Sequence, residues 1–129
     1  MRALLVLTLL CGAVFGTSAI GAEKCAGNAD EWCEANAAVV EAGAADRRLN
    51  DAYRKLTRQL STAQKKSIVS AQRAWLDFRK LDCEAGLERL DRIGSPAVHQ
   101  SVYKGCLTDH TEQRTKELVS FCESIGGCK

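Results

Sequence analysis

The sequence predicts an all-α fold: a disulfide-stapled antiparallel three-helix bundle, or a helical hairpin carrying a third helix. Three observations lead there. Apolar residues recur at three- and four-residue spacings over long stretches, with almost no alternation of the strand kind. The single proline, Pro96, follows Gly94-Ser95 at a place where one helix stops and another begins. Six cysteines lie beyond residue 22, an even set in a small chain, which reads as a disulfide framework.

Each element has its own justification. Asn28 followed by Glu31 provides an N-cap and a capping-box-like partner for helix one. Trp32, Ala35, Val39, Ala42, Leu49, Tyr53, Leu56 and Leu60 then hold helical spacing, with Asp46 as a polar intruder and Gly43 as a point of bending or breakage. Ser61-Thr62-Ala63-Gln64 is a second capping box, so the turn to helix two is tight. Helix two directs Ile68, Ala71, Trp75, Phe78, Cys83, Leu87 and Leu90 inward. Ser95 caps helix three with Pro96 at its first position, and Val98, Val102, Cys106, Leu118 and Phe121 face the core. Gly126-Gly127 ends it. Trp75, central on its stripe, predicts a loss of about 3–5 kcal/mol on truncation to alanine.

The chain divides into residues 1–22, read as a signal peptide, and residues 23–129, one helical domain. Arg2, the apolar run Ala3 to Phe15 and the small residues Gly16 to Ala22 form the three regions of an export signal, cleaved after Ala19 or Ala22. Thr8, Gly12, Gly16, Thr17 and Ser18 interrupt the run, which falls short of about 20 apolar residues, so stable membrane insertion is not expected. Leu10 sits where a lipid-attachment motif before Cys11 wants a small residue, which argues against a lipoprotein. The expected location is periplasmic or secreted. There Cys25, Cys33, Cys83, Cys106, Cys122 and Cys128 would pair. Zinc held by cysteines with His99 and His110 is the rival; no C-x-x-C pair exists, so no metal is expected.

Helix geometry limits the pairing. Cys83 lies ~12 Å back from the Gly94 turn and Cys106 ~15 Å beyond it, so an antiparallel hairpin sets them level. Cys122 lies roughly 39 Å down helix three, near Cys128. Cys25 with Cys33 completes the all-local set. Cys25–Cys106 with Cys33–Cys83 stays open as an alternative.

Charge excludes one class of partner. Without Arg2, 17 basic residues face 16 acidic ones, so no nucleic-acid footprint exists. The distribution is uneven: residues 23–46 hold six acids and one base, and residues 47–80 hold ten bases and two acids. Attraction between helices of opposite sign is the expected reason. Gln72 and Asn50 are expected to bond across the interface of helices one and two, and Arg79 to stack on Trp75. His99 is read as a surface residue and His110 as solvated. No nucleophile–base–orienter set is evident, so the chain reads as a non-enzyme without a cofactor.

One ordered set of residues goes further. It comprises Leu49-Asn50-x-x-Tyr53, then Q-R-A-W-L-D-F-R-K-L-D-C from Gln72 to Cys83 with Trp75 and Arg79, then Cys106-Leu107-Thr108, Arg114 and Leu118. The set resembles the N-terminal domain of the lysozyme inhibitors of the LprI type, small bacterial envelope proteins, over residues 25–118. The resemblance implies inhibition of a lysozyme-type muramidase, and it makes the motif residues mainly structural. This chain departs from the family's named member in lacking a lipid-attachment motif. Its net charge near zero leaves only the acidic first helix to steer a cationic lysozyme. A Cys122–Cys128 loop holding Glu123, Ser124, Ile125, Gly126 and Gly127 is the candidate inhibitory element, followed by the turn at residues 94–99. A chain ending at Phe121 is expected to stay folded. The alternative is an interaction module of the envelope that does not inhibit.

Overall fold

The computed structural model describes residues 30–88, 90 and 94–128. Three helices follow in order, α1 (Glu31–Gln59), α2 (Thr62–Leu87) and α3 (Pro96–Ser124). The expected signal peptide, Asn28 and Cys25 lie outside the described residues. Asp30, not the expected Asn28, caps α1: its side chain accepts from the Cys33 backbone N–H at 2.7 Å, because the cap must sit one residue before the first helical turn. The Ser61–Gln64 capping box forms in both directions, and Ser95 caps α3 with Pro96 behind it. Gly43 does not break α1, which runs through it for 29 residues, ~43 Å.

The helices run up, down and up. Ser95 donates to Glu31 at one end, Arg48 reaches Glu112 at 3.0 Å midway, and Gly127 lies against Gln59 at the other end. α1 and α3 are therefore parallel and α2 antiparallel to both. Ala35, Ala42, Ala45 and Ala52 are buried on α1, and this small-residue stripe lets α3 pack along its length. The core lies toward the second ends of α1 and α3, where Leu49, Ala52, Leu56 and Leu60 meet Leu118 and Cys122.

α2 is held differently. It packs on α3 but barely touches α1, and Cys83 is its only buried residue among those described. Several expected core positions are consequently open. Trp32 and Val39, on the stripe that leads to Asp46 and faces α2, are 55% and 37% exposed. Phe78 is half exposed, meeting the His110 ring edge-on at 5.6 Å. Ala71, Val102 and Phe121 are exposed as well. In their place Ala97, Thr111 and Cys122 supply the buried face of α3.

The disulfides settle most of the pairing. Cys83–Cys106 joins α2 to α3 with Cα atoms 5.7 Å apart, and Cys122–Cys128 closes the C-terminal turn at 5.3 Å. The first bridge excludes the alternative set. Cys33 is also disulfide-bonded; the expected Cys25–Cys33 bridge involves a residue outside those described.

Two histidines do more than solvation requires. His99 Nε2 sits 3.0 Å from the Leu90 carbonyl oxygen, closing the α2–α3 turn, and a Cβ at Gly94 would lie 2.7 Å from that nitrogen. His110 Nε2 lies 2.8 Å from Asp82 Oδ2.

The expected opposite-sign pairing of α1 and α2 is largely absent. Asp46–Arg79 is the α1–α2 ion pair among the described residues, while Arg48 pairs with Glu41 and with Glu112 on α3. Hydrogen bonding to Glu41, then to Glu112, holds the Arg48 guanidinium above its ordinary range. Because α2 reverses direction at Ser61, its basic first half lies beside the basic second half of α1. Cations therefore collect at one end of the bundle and the acids of α1's start at the other.

Trp75 packs at the edge of the core rather than inside it. Trp75→Ala is accordingly expected to cost about 2 kcal/mol, below the full core penalty. Urea melts of both proteins measure it; a loss above about 4 kcal/mol would show that the indole is enclosed.

Candidate functional site

Arg79 is the hub of the polar interior. Its side chain, 14% exposed, lies where all three helices meet. Nη1 donates to Asp46 Oδ1 on α1 at 2.8 Å and to Thr111 Oγ1 on α3. The Thr111 hydroxyl in turn donates to the Leu107 carbonyl at 2.6 Å, so the chain of donors ends on backbone. The guanidinium also lies 5.0 Å from the centre of the Trp75 ring, and Arg114 approaches the same ring at 5.9 Å. Such contacts contribute about 1 kcal/mol each. Arg79 Nε is buried and has no hydrogen-bond partner among the described residues.

Gln72 does not bond across to α1 as expected. Its carbonyl oxygen accepts from Arg114 Nε on α3 at 3.2 Å, while Arg114 Nη1 pairs with Glu117 at 2.9 Å. Asn50 is exposed. The expectation failed because α1 and α2 diverge at this level. They leave a groove of about 480 Å³ between them, with Leu49, Val69 and Leu76 as its apolar wall. Asp46, Asn50, Tyr53, Gln72, Arg73 and Arg79 supply its polar side. Thus Leu49, Asn50, Tyr53, Gln72 and Arg79 are gathered around one opening, while Trp75 and Arg114 brace it from the α3 side. Leu118, Cys83 and Cys106 serve packing and cross-linking. Asp46 and Thr111 are partners of Arg79 that the motif did not contain; Asp46's place on an apolar stripe was the available signal.

The second candidate is the stapled C-terminus. Glu123 and Ser124 still belong to α3, Ile125 is its C-cap, and Gly126 takes φ +76°, a backbone conformation that favours glycine. Residues 123–126 are exposed, whereas Cys122 is fully buried in the core. A chain ending at Phe121 would therefore lose a core residue and its bridge, and is expected to be less stable than the full chain. Gly127 and Cys128 sit beside Lys55, Arg58 and Gln59 of α1. The loop is thus rigid, exposed on one edge and flanked by cations.

Metal chemistry has one cluster to consider among the described residues. Ligand atoms of Cys83, Cys106 and His110 lie within 4.8 Å of one another, but both sulfurs are committed to the bridge. No described helix is long and apolar enough to cross a membrane.

The fold and its bridges define a small disulfide-stapled helical bundle, and the bridges fit an exported chain. The chain matches the family model "Lysozyme inhibitor LprI" over residues 25–118 and belongs to that family. It is 34% identical over 95 residues to the uncharacterized protein R02472 of Rhizobium meliloti (strain 1021), covering 63% of this chain. The chain spans 66% of that relative's length. No solved structure matches it.

Proposed function

We propose that this protein is an exported inhibitor of lysozyme-type muramidases, not an enzyme, and that it docks through its stapled C-terminal end. Its family membership carries the reading. The geometry supports the choice of surface. A muramidase cleft holds two carboxylates. The exposed residues 123–126 lead into Gly127 and Cys128, which sit beside Lys55 and Arg58 at the end where the α1–α2 turn gathers further bases. Ile125, 42% exposed, offers an apolar anchor, and the Cys122–Cys128 bridge holds the loop in place before binding. Such preorganisation lowers the entropic cost of entering a cleft. Cations aimed at the cleft's carboxylates give local attraction even though the protein's net charge is close to zero.

The acidic end is the second reading. Ser95, the N-cap of α3, joins Glu31 at the start of α1, so the expected turn at residues 94–99 is in fact the start of that helix. That end suits long-range attraction to a cationic lysozyme.

Titrating the oxidised protein into muramidases of several classes is expected to give fast, stoichiometric loss of activity with at least one. Ile125→Asp combined with Arg58→Glu should weaken inhibition at least tenfold with the melting temperature retained, since both side chains are exposed. Unchanged inhibition by that variant, with loss in Glu31→Lys/Glu34→Lys, would move the site to the acidic end. Absence of inhibition by the wild-type protein across all classes would favour the envelope interaction module.

A further inference from the structure

Docking through the C-terminal end leaves the α1–α2 groove unused. Its volume, about 480 Å³, falls within the range of small-molecule sites. A bundle seam of this kind is ordinarily filled by apolar side chains. Here it stays open and carries hydrogen-bond donors instead.

The donors are held in place. Gln72 commits its carbonyl oxygen to Arg114, which leaves its amide NH₂ to serve a ligand. Arg79 is clamped by Asp46, Thr111 and Trp75, so the middle of the groove is rigid. Arg73 is exposed and takes part in none of the ion pairs among the described residues. Asn50 and half-buried Tyr53 line the opposite wall. Arg73 and Arg79 against Asp46 leave one positive charge, and Asp46 is already engaged. The arrangement favours a ligand that is a monoanion and rich in acceptors.

Length narrows the class. From Asp46 to Tyr53 the groove follows two turns of α1, ~10 Å. That is the span of about three residues of extended peptide. We propose that the groove binds the carboxylate end of a short extended peptide. Arg73 and the Gln72 amide take the carboxylate in charge-assisted hydrogen bonds. Asn50 and Tyr53 meet the backbone amides, and an apolar side chain rests on Leu76. This site does not depend on muramidase inhibition, and its test reads binding alone.

Isotope-labelled, oxidised full-length protein is titrated with acetyl-Ala-Leu-Ala bearing a free C-terminal carboxylate, and separately with the same peptide amidated at its C-terminus. The free acid is expected to bind saturably, one to one, moving the backbone amide signals of residues 49–53 and 69–76. The amidated peptide should bind at least tenfold more weakly. Arg73→Gln should reduce affinity for the acid at least tenfold and leave the melting temperature unchanged. Equal binding of acid and amide, full affinity in Arg73→Gln, or no saturable binding of the acid overturns the proposal. The comparison of acid with amide needs no variant, so a folding defect in Arg73→Gln would not affect it.

Discussion

Replacing Cys83 and Cys106 together by alanine is expected to destabilise the protein by about 3 kcal/mol. The bridge spans 23 residues, and closing a loop of that length removes about 3 kcal/mol of unfolded-chain entropy. Few other contacts can compensate, because α2 has almost no packing on α1 and buries little besides Cys83. Loss should therefore concentrate in α2: amide hydrogens of Thr62–Leu87 should exchange faster than those of α1 and α3. Denaturant melts measure the global cost and hydrogen exchange its location. A loss below 1 kcal/mol, with α2 still protected, would mean that the Arg79–Trp75 hub holds the helix without the bridge. The Cys122–Cys128 bridge closes a separation of only six residues, for which the same entropy gives about 2 kcal/mol.

Leu56→Ala should be the costliest single truncation, at about 3–4 kcal/mol. Leu56 is fully buried and is among the largest enclosed side chains. Its neighbours Leu118 and Cys122 sit on the parallel partner helix, and Cys122 is tied down by its own bridge, so the cavity cannot collapse easily. Urea unfolding should show a lower midpoint with an unchanged slope, the signature of lost stability without a changed denatured state. A cost below about 2 kcal/mol would indicate that α1 and α3 close over the void. Comparison with Trp75→Ala makes the point sharper. The larger residue is expected to matter less, since it lies at the core's edge with cations over its ring.

Most of the fold was legible because its signals act within a few residues. The Ser61–Gln64 box and the Ser95-Pro96 start satisfy backbone groups of the same turn, so residue identity alone reveals them. Cys83–Cys106 followed from helix rise and a single turn, both insensitive to side-chain detail. The family was readable in the ordered motif for the same local reason.

What periodicity could not supply was how much of each apolar stripe would be covered. Trp32, Val39, Phe78, Val102 and Phe121 keep helical spacing yet remain exposed. Coverage depends on how closely two helices approach, which the side chains of both set together. The alanines of α1 admit α3 closely, while Asp46, Gln72 and Arg79 occupy positions that would otherwise seal α2 onto α1. The candidate site shows the same division. Its residues stood out one by one, but only the tertiary structure placed five of them around one opening, ran Arg79 across three helices and gathered the bases at the stapled end. Sequence by itself determined where α2 and α3 begin and that Cys83 can meet Cys106, since these are local and geometric. Only the packed structure decided which faces close and which stay open, because that is a contest of side-chain volume and charge between segments far apart in the chain.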